Sequence, residues 1–203
     1  MTMVILASKS PRRTQLLDML GVEHRCVPSG VPEEPLPGES PQDQVIRLAG
    51  DKARAVALRE PEFDLVVAAD TLVALGGQVL AQPVDRAEAE AMLRSLSGAT
   101  HTVFSGICLM VRGGLAVTGL SESRVTFHDL SDHEISWYLG TGEPMDKAGA
   151  YAAQGAGAVF IRSIVGSFHN VVGFPIDLFY RLLPEVGMSL QQLRDEGRET
   201  VES

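Results

Sequence analysis

Apolar residues fall into two periods along the chain, and the switches between them mark its elements. Val4-Ile5-Leu6-Ala7 is a short apolar run that predicts a strand. Ser10 then suits a helix N-cap and Pro11 its first turn, and Leu16, Leu17 and Leu20 recur at helical spacing up to Gly21. Residues 33–42, rich in Pro and Glu, read as a loop. Val45, Leu48, Ala49 and Val56 give residues 43–58 one apolar helical face. Leu65-Val66-Val67-Ala68-Ala69 is continuously apolar, as in a strand buried on both faces, and it stops at Asp70. Leu72 to Leu75, Gly76-Gly77 and Val79-Leu80 predict a hairpin. A helix over residues 86–96 ends at Gly98, and residues 101–111 and 115–127 form two long antiparallel strands around Gly113-Gly114. Ser131-Asp132-His133-Glu134 is a capping box for a helix to Leu139. Residues 158–165 predict a further strand and 177–183 a further helix. Strand-helix units mixed with long hairpins give an α/β fold with a mixed sheet.

Composition narrows the class. A chain of 203 residues accommodates one domain, or two closely joined lobes, here residues 1–190 followed by a polar tail at 191–203. Its 45% hydrophobic and 21% charged residues are ordinary for a folded protein, so the core needs no staples. Cys26 and Cys108 stand far apart, which excludes a disulfide framework and a structural zinc cluster. The first residues lack the basic region and long apolar core of a signal peptide. No stretch reaches the roughly 20 apolar residues of a membrane span, so a cytoplasmic protein with no membrane partner is expected. The formal net charge of −9 repels a phosphate backbone and argues against nucleic-acid polymers as partners. A polyanion would have to be met in a local basic pocket.

Three stretches can carry chemistry. Ala7-Ser8-Lys9-Ser10-Pro11-Arg12-Arg13 joins a strand to a helix, whose N-terminal N–H groups and dipole favour phosphate. Arg12 and Arg13 sit at the wrong end of the helix dipole, so either an anionic ligand holds them there or they are solvated surface charges. Asp70 follows the most apolar strand, where a carboxylate can hold a divalent metal, orient a water or simply turn the chain. Gly166 to Pro175 brackets a polar-apolar loop with glycines, fit for close backbone approach or for packing Val171, Val172 and Phe174 into the core. Glu33, Glu34 and Lys52 are individually no different from surface charges, and His169 reads as structural or exposed.

Taken together, these residues resemble the Maf family. The likeness runs from Leu6 to about Leu183 through five separated motifs in order: Leu6 to Arg13, Ala69-Asp70-Thr71, Ser97-Gly98, Gly142 to Tyr151, and Asn170-Val171-Val172-Gly173. It implies a mixed twisted sheet in two lobes with a central cleft, similar to inosine triphosphate pyrophosphatases. It also implies hydrolysis of a nucleoside triphosphate to the monophosphate and pyrophosphate with Mg2+ or Mn2+. By the same resemblance Asp70 is the catalytic carboxylate, and Glu33 with Asp70 binds the metal. Ser8, Arg12, Arg13 and Lys52 line the triphosphate site, and Arg12, Thr71 and Gln154 select the base. Ala69-Asp70-Thr71 and the run from Asp146 to Gly155 are similar to the branch acting on dTTP and UTP; the 7-methyl-GTP branch carries Ser-Asp-Gln at the first of these. The family's usual Lys-Pro after Leu80-Ala81 is Gln82-Pro83 here, an amide replacing one phosphate-binding cation.

The expected partner is therefore a small nucleotide, and the resemblance adds a homodimer. Two other functions use the same residues: a house-cleaning pyrophosphatase for modified or purine nucleotides, and a nucleotide-binding regulator of cell division with weak catalysis. Gln82 favours the regulator, whereas Asp70, Glu33, Arg12, Arg13 and Lys52 oppose it.

Overall fold

The apolar run that begins at Leu65 does not end at Asp70. In the computed structural model, which describes residues 2–195, it continues to Leu75 as one strand of 11 residues. Along the chain the elements are β1 (Val4–Leu6), α1 (Pro11–Met19), β2 (His24–Cys26), α2 (Pro41–Arg59), β3 (Leu65–Leu75), β4 (Gln78–Leu80) and α3 (Arg86–Leu96). They continue with β5 (Thr100–Val111), β6 (Ala116–Phe127), α4 (Asp132–Gly140), β7 (Ile161–Val165), α5 (Phe168–Val172), α6 (Ile176–Leu182) and α7 (Leu190–Asp195). Asp70 thus lies inside β3 rather than closing it, a correction whose cause is a change of partner. The start of β3 pairs in parallel with β1, Val4 opposite Leu65 and Leu6 opposite Val67. Its end pairs antiparallel with β4 across Gly76-Gly77. Both glycines have positive φ, 58° and 86°, as a two-residue type I′ hairpin requires.

Among the described residues, seven strands form one sheet in the order β2-β1-β3-β5-β6-β7, with β4 beside β3. Parallel pairing of β1 with β2 and β3, and antiparallel pairing of β6 with β7, make the sheet mixed. The chain gathers into two compact units, residues 2–70, 106–120 and 176–195 in one, and 71–105 and 121–175 in the other.

In the first unit, Ile5, Ala7, Val66, Ala68 and Cys108 bury one sheet face against Ala49, Ala53 and Val56 of α2. Side chains two apart on a strand share a face, so Val66 and Ala68 predict where Asp70 points: toward α2. The alanines keep the helix close. Gly106 of β5 shows how close, because a Cβ there would collide with the Val45 carbonyl of α2. Gly106→Ala is therefore expected to lower stability by about 1–3 kcal/mol, the usual cost of overpacking. The measurement is the urea unfolding midpoint, with an unchanged slope if only stability is affected.

The second unit is built on aromatic rings. His101 packs edge-on against Phe127 and Tyr151, with ring centroids 5.1 and 5.3 Å away. Its Nε2 lies 2.8 Å from the Tyr151 hydroxyl, and burial pushes the imidazole pKa down to about 4, so the ring is neutral at pH 7. Tyr138 donates to Glu143 Oε1 at 2.7 Å, and the Glu143 carboxylate also accepts from the N–H groups of Ala156 and Gly157, each at 3.0 Å. Burial raises the Glu143 pKa, but these hydrogen bonds outweigh it and the net direction is down. The structure also departs from the sequence reading at the next strand. Residues 156–160 form a 3-10 turn, in which the Gly155 carbonyl takes the Ala158 N–H at 3.2 Å, and β7 starts only at Ile161.

Helix α4 opens with the expected capping box between Ser131 and Glu134. Helix α7 covers the beginning of the segment expected as a polar tail and buries Leu193; residues 196–203 of that segment lie outside the described residues. No helix among the described residues is long and apolar enough to cross a membrane.

Candidate active site

The first unit carries a concave cluster at the turn from β1 into α1. Ser10 is the N-cap with extended backbone (φ −76°, ψ 117°), and Pro11 opens the helix. The Ser10 side chain makes no capping hydrogen bond and the first turn holds no acidic residue. The helix N-terminus therefore keeps its positive character, strengthened by Arg12 and Arg13. Ser8 is buried and organises the turn: its Oγ accepts from the Ser10 N–H at 3.1 Å and from Arg13 Nη1 at 3.2 Å. Desolvation lowers the Arg13 pKa, while Asp70 and then Glu33 pull it upward and Arg12 pushes it down. Arg13, which opposes the helix dipole, is thus matched by two carboxylates.

Those carboxylates meet on a lysine. Lys52, three residues after Ala49 on α2, extends Nζ to 2.6 Å from Asp70 Oδ1 and 2.6 Å from Glu33 Oε1. The side chains of Lys52 and Asp70 are each 6% exposed, whereas that of Glu33 is 63% exposed. Asp70 comes from the sheet and Glu33 from the loop after β2, yet both face one point. Two hard oxygen donors converging in this way suit Mg2+ or Mn2+, which take one or two carboxylates and fill their remaining positions with phosphate oxygens and water. Among the described residues no group of three or more His, Cys, Asp or Glu side chains gathers to hold a metal. The described residues would offer two of the donors, Asp70 and Glu33, and water or phosphate oxygens would fill the remaining positions.

A cavity of about 140 Å³ opens beside this cluster, lined by Ala7, Ser8, Lys9, Pro28, Ser29, Gly30, Val31, Glu33 and Lys52. The loop from Pro28 to Val31 has no apolar period and was not singled out in the sequence. Its signal was Gly30, whose φ of 69° lets the loop turn back toward β1. Arg59 of α2 fixes the loop by donating to the Pro28 carbonyl at 2.7 Å. In a chain of net charge −9, Lys9 and Lys52 line this small concavity, and Arg13 donates to its lining residue Ser8.

Of the residues predicted from sequence, Ser8, Arg12, Arg13, Glu33, Lys52 and Asp70 belong to this first unit, and Thr71, Gln82 and Gln154 to the second. Thr71 follows Asp70 on β3, with its hydroxyl 2.7 Å from Ser105 Oγ and donating to the Gly173 carbonyl at 3.3 Å. Gln82 is exposed and donates Nε2 to the Met145 carbonyl at 3.0 Å, a local role in holding the turn at residues 143–146. Gln154 is exposed. Asn170 is fully buried and donates to the Val103 carbonyl at 3.0 Å and to Ser123 Oγ at 2.9 Å. The stretch around it forms α5 and buries Val172 and Phe174. Gln44 and Arg47 of α2 were missed, although Gln44, Arg47 and Asp51 recur at helical spacing beside Lys52.

The chain is similar to known proteins over most of its length. The family model described as Maf-like protein matches residues 3–186. A dTTP/UTP pyrophosphatase of Anaeromyxobacter dehalogenans is 46% identical over 190 residues, covering 92% of this chain and 95% of that protein. One from Symbiobacterium thermophilum is 46% identical, covering 92% and 95%. One from Geobacter sulfurreducens is 49% identical over 175 residues, covering 85% and 91%. Among solved structures, a Mycobacterium abscessus nucleoside-triphosphatase / dITP/XTP pyrophosphatase aligns at TM-score 0.40 and 21% identity, covering 64% of this chain and 76% of that one.

Proposed function

We propose that this chain, which belongs to the Maf family, is a nucleoside triphosphate pyrophosphatase that cleaves dTTP and UTP between the α- and β-phosphates. The observation that carries the reading is the meeting of Asp70 and Glu33 on Lys52 beside Arg13 and the N-terminus of α1. A fully ionised triphosphate repels any nucleophile, and fixed cations lower that barrier most where charge grows on the leaving group. Ser8, Arg12, Arg13 and Lys52 are assigned to the phosphate oxygens.

Asp70 orients the attacking water and takes its proton. The water oxygen bonds to the α-phosphorus, the bond from that phosphorus to the bridging oxygen breaks, and pyrophosphate leaves. Glu33 and Asp70 would hold Mg2+ or Mn2+, which neutralises phosphate oxygens as a Lewis acid when bound. Arg12, Thr71 and Gln154 select the base; an amide such as Gln154 carries both the donors and the acceptor that the imide edge of uracil or thymine requires. The names of the relatives support the pyrimidine substrates.

Chromatography of products from purified protein, Mg2+ or Mn2+ and a panel of triphosphates tests the proposal. UTP and dTTP are expected to give the monophosphate and pyrophosphate with the highest kcat/KM. Release of a diphosphate and inorganic phosphate would overturn the bond assignment, and a purine preference would favour the house-cleaning alternative. Turnover unaffected by chelation would remove the metal.

A further inference from the structure

Glu33 occupies an irregular loop, residues 27–40, between β2 and α2, and its side chain is largely exposed. Lys52 of α2 takes its carboxylate at 2.6 Å. Two further side chains of α2 hold the backbone that carries it. Gln44, itself buried, donates Nε2 to the Glu33 carbonyl at 3.2 Å. Arg47 donates Nη2 to the Glu34 carbonyl at 3.2 Å. Arg47 also grips Glu39 at the far end of the loop, Nε to Oε1 at 2.5 Å and Nη2 to Oε2 at 2.7 Å. Glu39 Oε2 in turn accepts from the Leu36 N–H at 3.0 Å, and Asp51 steadies Arg47 Nη1 at 3.4 Å.

We propose that Arg47, clamped on Glu39, is a positioning residue that sets Glu33 at the distance from Asp70 needed to share a divalent cation. The inference rests on the reading of Glu33 as a metal ligand. One guanidinium ties the loop at residue 34 and again at residue 39, so the loop cannot slide along α2 without breaking a bidentate pair. The same helix carries Lys52 against Asp70, so a single rigid element references both carboxylates to each other. Hydrogen bonding to Arg47 holds the Glu39 carboxyl down to about 2, so the clamp stays ionised at any pH where turnover would be measured. Outer partners of metal ligands matter: their loss typically costs 10–100-fold in affinity.

The test is a Mn2+ titration of nucleotide-free protein followed by electron paramagnetic resonance, with thermal unfolding measured alongside. Arg47→Met is expected to raise the Mn2+ Kd by about tenfold or more. Arg47→Lys should restore part of that, since it keeps the charge but loses the planar fork. In steady-state assays the Mn2+ concentration for half-activation should rise by a larger factor than kcat falls. A Mn2+ Kd unchanged in folded Arg47→Met overturns the clamp. Should Arg47→Met not fold, Glu39→Gln carries the same test, with weaker Mn2+ binding expected and an unchanged Kd overturning it. Glu33→Gln separates the two layers. An unchanged Kd there refutes Glu33 as a ligand, whereas a weakened Kd there with no change in Arg47→Met refutes the clamp alone.

Discussion

Asp70→Asn is expected to lower kcat for the preferred triphosphate by roughly a hundredfold to ten-thousandfold, the range for losing a general base. Asparagine keeps the shape of the side chain on the α2-facing side of β3 but cannot take a proton from water. It also removes one of the two anionic donors that converge beside the cavity, so the observed loss should lie toward the upper end. The variant should fold, because the amide still accepts a hydrogen bond from Lys52 Nζ. Its stability should nevertheless fall by about 1–3 kcal/mol, since a buried ammonium then keeps only the exposed Glu33 as counter-ion. Relief of repulsion between carboxylates offsets little of this, because Lys52 already stands between them. Steady-state kinetics and urea unfolding measure the two effects. A variant retaining more than about a tenth of wild-type kcat, a factor worth only ~1.4 kcal/mol, would remove Asp70 from the catalytic role.

How far the sequence leads depends on where each signal resides. Helices α1, α2 and α3 were legible from their apolar period and from Ser10-Pro11 before α1 and Gly98 after α3, although α2 begins two residues earlier than read, at Pro41 with Ser40 as its cap. The hairpin of β3 and β4 was legible because Gly76-Gly77 can adopt a backbone that other residues avoid. Strand β2 was not, since His24-Arg25-Cys26 has no alternation and joins the sheet through main-chain pairing with β1. Asp70 was identified as a residue but misplaced in its strand, because a charge after five apolar residues reads locally as an end. Only the switch from β1 to β4 as partner carries the strand through it. For the site, the resemblance grouped Ser8, Arg13, Glu33, Lys52 and Asp70 in one function, and the fold brings them together in one unit. Which of them touch was not legible. That Lys52 bridges two carboxylates depends on how closely α2 lies on the sheet, which follows from Gly106 and the facing alanines rather than from any motif.

Lys52→Gln should separate two consequences of that bridge by moving them in opposite directions. With the ammonium gone, one preorganised positive donor is missing from the phosphate site, and loss of such a donor typically costs about a hundredfold to a thousandfold in kcat. At the same time Asp70 and Glu33, which share Lys52 at 2.6 Å each, lose the cation that neutralises them. In nucleotide-free protein a divalent cation then no longer competes with a fixed ammonium for the two oxygens, so Mn2+ should bind more tightly than in wild type. Glutamine suits the experiment because it stays polar and reaches part of the way to Asp70, which limits the penalty of an unsatisfied buried carboxylate. Lys52→Arg should recover part of the rate, since charge is kept while the compact ammonium is replaced by a wider, planar group. Lower kcat together with weaker Mn2+ binding would mean that Lys52 organises the carboxylates for the metal instead of holding its place. An unchanged kcat would place Lys52 outside the phosphate site and leave it a purely structural counter-ion to Asp70.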